Sequence, residues 1–485
     1  KGHAHQINVI RKTLGNVPII AVMSGSVTQR GELALWDKWE RARLALRGGV
    51  DLVLELPAAS VLRSADHFAA GALSVMRHTG LVTHISFGME DPDRAKLTML
   101  AAEPPDHEAF ERALKAGTSY AESMALAYTK KDPAYASFFK GSNNLLALSY
   151  AKMARQVFPS AALLPILREG TPYNEESLTE KAASAAALRH FLEEEGPSAT
   201  VFAAMGIQAK EEEAHLASLP SPLFHKQRLD LLMAYALEST DAEHLSRHIE
   251  ATEGLERALI KARRKGSFDA IAAACSGRRY SRSRIRRLML QLLCTGETKA
   301  FTGLSDAAPY LRVLAFSKRG KELLHLMKET ATRPLFSLVN KDTARHLNEE
   351  ARRKLELDLA ATSLWELVAT GTAVSLLKVH HRDIKANLCH GDFLQPANKG
   401  VTIERGLPVP VQDAPASGFL GKRHNAHRAP LQVPFHRGDT AYLWEGHLTY
   451  GGQKILYPED SVLSKRQAFL PSVRQGCFRQ TVTPG

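Results

Sequence analysis

The sequence predicts an α/β protein: an open, doubly wound parallel sheet, then an α-helical domain, then an irregular C-terminal extension. Three observations carry that reading. Short, nearly continuous apolar runs at 17–23, 51–56, 84–87 and 163–167 alternate with helical patterns, as parallel strands buried on both faces do. From about 200 to 367 the strand signals fade and helical periodicity dominates. Residues 371–485 hold 9 of the 23 prolines and 7 of the 20 histidines with no sustained period, a composition that a packed domain could accommodate only as loop. The expected divisions are 1–198, 199–367 and 368–485.

Each element follows from local pattern. Helices are expected at 4–14, closed by Gly15, at 36–48, closed by Gly48-Gly49, and at 64–78, 107–127, 142–156 and 178–194. In the second region the clearest helix is 282–294, where Ile285, Leu288, Met289, Leu292 and Leu293 fall on one face. Arg282, Arg284, Arg286 and Arg287 occupy the rest of its surface. The final region reads as a poorly ordered extension, or as a stretch foreign to the rest of the chain.

Composition bounds the function. The chain has 485 residues, 44% hydrophobic and 24% charged, which excludes global disorder. No segment approaches the roughly 18 uninterrupted apolar residues of a membrane span. Four cysteines (275, 294, 389 and 477) form neither a disulfide framework nor a paired metal pattern, so a reducing, cytoplasmic setting is expected. The chain starts at Lys1 with no signal-peptide pattern, and the start is read as a truncation. Net charge is +12. It is concentrated: residues 261–330 carry 16 Lys and Arg against 5 Asp and Glu, an electrostatic footprint for a polyanion.

Several residues stand where ligands meet such sheets, at the carboxyl ends of strands. Gly2-His3 opens the first helix, where amides and an imidazole can approach phosphate. Met23-Ser24-Gly25 and Gln29-Arg30-Gly31-Glu32 follow the first strand, and Glu55 ends the second. Gly88 in Phe87-Gly88-Met89-Glu90 would let a base approach the backbone. Asn143 or Asn144 is expected to cap a helix, and Arg168 follows a strand directly. Each also has a bland reading, as a turn glycine, a cap or a surface ion pair, and taken singly none decides.

In order, the runs are Ala21-Val22-Met23-Ser24-Gly25, Gln29-Arg30-Gly31-Glu32, Lys38-Trp39, Gly49-Val50-Asp51-Leu52-Val53-Leu54-Glu55-Leu56-Pro57, Ser64-Ala65-Asp66, Phe87-Gly88-Met89-Glu90 and Asn143-Asn144. They continue through Glu253-Gly254-Leu255-Glu256, Arg279-Tyr280-Ser281-Arg282-Ser283-Arg284-Ile285 and Ala308-Pro309-Tyr310-Leu311-Arg312. Together they resemble the bacterial tRNA(Met) cytidine acetate ligase family over roughly residues 1–365. The resemblance implies a Rossmann-like, nucleotidylyltransferase-type sheet and a basic helical tRNA-binding domain. It implies ATP-dependent activation of acetate to acetyl-adenylate, with Mg²⁺ as the usual partner of the phosphates. The acetyl group would then pass to N4 of the wobble cytidine of elongator methionine tRNA. His3 would be the catalytic second histidine of a His-x-Gly-His motif whose first histidine and preceding strand lie upstream of Lys1. Gly2, His3, Gly88, Asn143, Arg168 and Arg189 would contact ATP. The family's hydroxyl residues before that last arginine are replaced here by Ala183-Ser184-Ala185-Ala186-Ala187. Lys261, Arg263, Arg264, Arg279, Arg282, Arg284 and Arg287 would face tRNA phosphates, with Tyr280 stacking on a base. No resident metal ligands are assigned.

Two patterns in the extension imitate kinases. His381-Arg382-Asp383 is followed by Asn387, one residue early, and His390-Gly391-Asp392 with Asn398 is similarly shifted; neither has a supporting glycine-rich loop. His380, His381, Cys389 and His390 lack metal-ligand spacing. Two other functions fit the sheet. One is a nucleotidylyltransferase adenylating a small phosphorylated metabolite, which leaves the basic region unused. The other is an RNA-binding protein with a decayed ATP site.

Overall fold

The structure is a computed structural model. It describes residues 2–168, 185–247, 254–278, 280–295 and 304–372, with four short strands at 393–394, 442–444, 447–450 and 453–455. The kinase-like patterns, the His380–His390 group and residues 178–184 of one expected helix lie outside the described residues.

The four expected strands are present as β1 (Ile20–Ser24), β2 (Leu52–Leu56), β3 (His84–Met89) and β4 (Ala162–Leu167). β1 and β2 pair in parallel, Ile20 opposite Leu52 and Ser24 opposite Leu56. β3 and β4 form a second parallel pair, with Gly88 opposite Ile166. All five residues of β2 are buried, which explains its unbroken apolar run: a strand covered on both faces has no solvent face to alternate with. The connection from β1 to β2 is the helix Lys38–Arg47, whose N-cap Asp37 accepts from the Glu40 amide. Gly49, at φ +102°, turns the chain into β2.

One strand escapes the sequence reading. β5 (Leu311–Ser317) falls in the stretch expected to be helical and pairs antiparallel with β2, Leu52 opposite Phe316 and Leu54 opposite Val313, with a bulge between. β6 (Leu335–Phe336) pairs in parallel with β5, and β7 (Phe393–Leu394) pairs antiparallel with it. The principal core accordingly mixes early and late residues: Leu52, Leu54 and Leu56 pack with Ile285, Leu288, Val313 and Trp365. A second core, around Phe87, Tyr128, Phe138 and Leu148, supports β3 and β4. In residues 412–485, β8 (Tyr442–Trp444), β9 (His447–Tyr450) and β10 (Gln453–Ile455) form an antiparallel sheet of their own.

The helix expected at 107–127 is two. His107–Lys115 ends before Gly117, at φ +82°. Tyr120–Lys131 then starts on a capping box in which Ser119 and Glu122 exchange bonds with each other's backbone.

Candidate functional site

Two of the expected ATP contacts, Gly88 and Arg168, meet at the carboxyl ends of β3 and β4, and a third, His3, opens a helix moored beside them. The Arg168 amide donates to the Met89 carbonyl at 3.0 Å, extending the β3–β4 ladder by one bond. Its side chain lies across Gly88, where a Cβ would sit 3.0 Å from Arg168 Cγ. Glycine is therefore what lets the guanidinium stem pass. His3 is near enough to feel the Arg168 charge: desolvation first, then charge repulsion that includes Arg168, push its pKa below the ordinary value. The ring is exposed, so that desolvation comes from protein beside it, not from enclosure. Its helix, Gly2–Leu14, is moored by Gln6, which donates to Ser86 Oγ at 3.1 Å, and by Arg11, which donates to the Gly49 carbonyl at 2.8 Å.

Asn143 joins this group through a residue without an assigned role. Glu90, just past β3, places its carboxylate at the start of the helix Ser142–Val157. It accepts from the Asn143 side chain at 2.6 Å and from the Asn144 amide at 3.0 Å. Asn144 answers by accepting from the Glu90 and Asp91 amides at 2.9 and 3.1 Å. The expectation that one of the two asparagines caps this helix is thereby corrected. Gly141 is the N-cap, and the carboxylate of Glu90 satisfies the free amides and the helix dipole.

A different cluster stands at the ends of β1 and β2. Lys38, Glu55 and Arg312 are almost wholly enclosed. Lys38 Nζ donates to both Glu55 oxygens at 2.8 and 3.1 Å and to Thr362 Oγ1 at 3.2 Å. Arg312 lies 3.1 Å from Glu55 Oε2. Burial alone would raise the Glu55 carboxyl, but Lys38 and then Arg312 outweigh it and hold it below the carboxylate range. Nearby, Asp358 accepts from the Ala58 amide and the Tyr310 hydroxyl, both at 2.6 Å. Burial, and then the charge of Glu55, push its pKa up to about 7. Gly25 is required here, since a Cβ would meet Glu55 Oε1 at 2.2 Å.

Arg189 meets the loop that follows β1. It is half-buried, within 3.3 Å of Glu32, and donates to the Leu33 carbonyl. Among the described residues nothing brings it to Arg168 or His3.

The expected nucleic-acid residues divide. Lys261, Arg264 and Arg282 are exposed, Arg263 and Arg284 half-buried. Arg263 pairs with Glu238 at 3.0 Å, and Arg284 lies over the Tyr280 ring, 4.9 Å from its centroid. Lys261, Arg263 and Arg264 line a hollow of about 430 Å³ with Ala242, Ile260 and Arg257; Arg257, one turn before Lys261, went unmarked in the sequence. Arg287 points inward: it is 6% exposed and donates to the Gln29 carbonyl at 3.1 Å. Its expected place on a tRNA-facing surface is corrected, because its helix is buried around most of its circumference from Leu288 to Leu292. Arg279 lies outside the described residues.

The sequence profile of the HIGH Nucleotidyl Transferase family matches residues 1–378. The chain belongs to this family. Its nucleotidyl-transferase relatives include a protein of Caldanaerobacter subterraneus subsp. tengcongensis named tRNA(Met) cytidine acetate ligase, 31% identical over 79% of this chain and 96% of the relative. A Fervidobacterium nodosum protein of the same name is 33% identical over 73% of this chain and 84% of the relative. The crystal structure of apo Thermotoga maritima TmcAL superposes with a TM-score of 0.68 at 25% identity, covering 78% of this chain and 95% of that one. A second TmcAL structure, bound with alpha-thio ATP, gives 0.67 over the same shares. Among the described residues no group of three His, Cys, Asp or Glu could hold a metal, and no helix is long and apolar enough to cross a membrane.

Proposed function

We propose that the chain is an ATP-dependent acetate ligase acting on N4 of the wobble cytidine of elongator methionine tRNA, in the cytoplasm. Its relatives are named tRNA(Met) cytidine acetate ligase, and the observation in this chain that supports the reading is Gly88 and Arg168 together at the ends of β3 and β4, with the helix that opens on His3 moored beside them.

In the first half-reaction an acetate oxygen attacks the α-phosphorus of ATP. The α–β bridging bond breaks, and pyrophosphate leaves with acetyl-adenylate behind. No protein nucleophile is needed, and the described thiols are unsuited to be one: burial pushes Cys275 up to about 11 and Cys294 up to about 12. The work is orientation and charge stabilisation. Arg168 and the amides at the start of the first helix would meet phosphate oxygens. His3, whose pKa desolvation holds below its ordinary value, would meet the polyphosphate as a hydrogen-bonding imidazole. Gly88 would give the nucleotide access to the backbone, and the Asn143–Glu90 pair offers both a donor and an acceptor to its polar groups. Mg²⁺ would come carried by the phosphates of ATP, its usual partners. In the second half-reaction N4 attacks the acetyl carbonyl, AMP leaves, and the amine gives up a proton. The exposed cations around the hollow would hold the tRNA backbone.

The test is direct. With ATP, acetate and methionine tRNA, nucleoside mass spectrometry of the digested tRNA should show N4-acetylcytidine, and Arg168→Gln should depress acetate-dependent ATP–pyrophosphate exchange at least tenfold. Absence of acetylcytidine at saturating substrates would sink the proposal.

A further inference from the structure

Leu231 and Tyr235 are the two most exposed large apolar side chains among the described residues, at 72% and 75%. They stand one turn apart on the helix Lys226–Glu238 and so share a face. Looseness does not explain their exposure. The other side of the helix carries Met233 and Leu237, fully buried in the principal core with Ile285 and Leu288. Arg228 donates to the Val368 carbonyl at 2.9 Å, and Asp230 accepts from the Phe268 amide at 2.7 Å. A fixed helix therefore holds a leucine and a tyrosine out in water, where both forgo the gain that burial gives an apolar side chain.

Their surroundings indicate the partner. Glu238, three residues past Tyr235 on the same side of the helix, accepts from Arg263 at 3.0 Å. Arg263 lines the hollow of about 430 Å³ together with Arg257, Lys261, Arg264 and the apolar Ala242 and Ile260. Arg257, Lys261 and Arg264 are exposed, and Glu238 is already paired. An open aromatic ring next to such cations suits single-stranded RNA, whose bases stack on the ring while its phosphates meet the positive charges. Tyr280, the ring expected from the sequence to stack on a base, is half-buried and has Arg284 over it, 4.9 Å from its centroid. A second copy of the chain fits the face less well, since two side chains fall far short of the roughly 800 Å² that each partner of a stable protein interface buries. We propose that Tyr235, flanked by Leu231, is a stacking platform for an unpaired base of the tRNA, with the cations of the hollow holding the phosphates beside it. This rests on the tRNA ligase reading above and adds to it a contact with a base.

The test measures the Kd of the full chain by fluorescence anisotropy for three labelled RNAs: methionine tRNA, its anticodon stem–loop, and the same stem as a blunt duplex. Tyr235→Ser should weaken tRNA binding about tenfold, the scale of one lost base stack. Leu231→Ser should act in the same direction, and Tyr235→Phe should stay within twofold of wild type. The slope of affinity against salt should not move in Tyr235→Ser, because no phosphate contact is lost, and duplex affinity should stay within twofold. The stem–loop locates the base: a loss there equal to that on tRNA puts it in the anticodon loop, and a loss confined to the whole tRNA puts it in another unpaired stretch. Tyr235→Ser with tRNA affinity unchanged, or with equal losses on tRNA and duplex, would overturn the proposal. So would a wild-type dimer in sedimentation that Tyr235→Ser abolishes, which would make the face a contact between copies. Failure of the wild-type chain to bind methionine tRNA at all would instead overturn the ligase reading itself.

Discussion

Removing either end of the Lys38–Glu55 pair should destabilise the fold, and by unequal amounts. Glu55 is 3% exposed and serves two cations, Lys38 at 2.8 Å and Arg312 at 3.1 Å. Lys38→Met deletes one of them and leaves Glu55 paired with Arg312, so no charge is stranded. The loss is one buried ion pair and the bond to Thr362, about 3 kcal/mol, the low end for a broken buried pair. Glu55→Gln removes the carboxylate that both cations share. Lys38, whose pKa burial and then Arg312 already depress, can escape by releasing its proton. Arg312 cannot, and at 1% exposure it stays charged after losing its Glu55 carboxylate. That cost is about 4–5 kcal/mol. Urea unfolding at pH 7, followed by far-UV circular dichroism, gives both numbers. If Lys38→Met costs as much as Glu55→Gln or more, the assignment of Glu55 as the shared anchor is wrong.

Two further outcomes are expected. Asp358 has a folded pKa raised to about 7 from an ordinary 3.8, so the native state holds a proton that the unfolded chain has lost between those values. Its contribution to stability is full below pH 4 and falls by about 1.4 kcal/mol per unit as pH rises toward 7. Subtracting the Asp358→Asn pH–stability curve from the wild-type curve should isolate that slope, and a flat difference refutes it. On the basic surface, five exposed cations, Arg257, Lys261, Arg264, Lys265 and Arg282, meeting phosphates would give tRNA affinity against salt on logarithmic axes a slope of about −4.5. Lys261→Gln should flatten that slope by about one, whereas Arg287→Gln should lower stability and leave the slope alone; the reverse pattern would put Arg287 back on the surface.

What the sequence discloses depends on how an element is buried. β1 to β4 are legible because strands between helical layers are apolar throughout, and their carboxyl ends therefore point to Gly88 and Arg168. β5 is hidden because Arg312 interrupts its apolar run, and a buried arginine in a strand is intelligible only once Glu55 is opposite it. The same holds for Asp358, which lies on a helix 300 residues from the Ala58 amide it binds. Glu90 was in view as part of a motif. Its role as the anion at a helix start depends on a contact across more than 50 residues that no local pattern encodes.

The charge surplus shows the same limit from the other side. Counting Lys and Arg between 261 and 330 locates a basic region correctly but cannot say which way each side chain points. Arg286 is spent on Glu32 and Asp269, Arg287 on a backbone carbonyl, Arg312 on Glu55 and Arg319 on Asn16. These inward cations join the late helices and β5 to the loops at the ends of β1 and β2. The outward ones are left for a polyanion. A single excess of positive charge therefore does two jobs, and the division follows burial: where a cation faces a fixed carboxylate or carbonyl its loss is felt in folding, and where it faces water its loss is felt in binding.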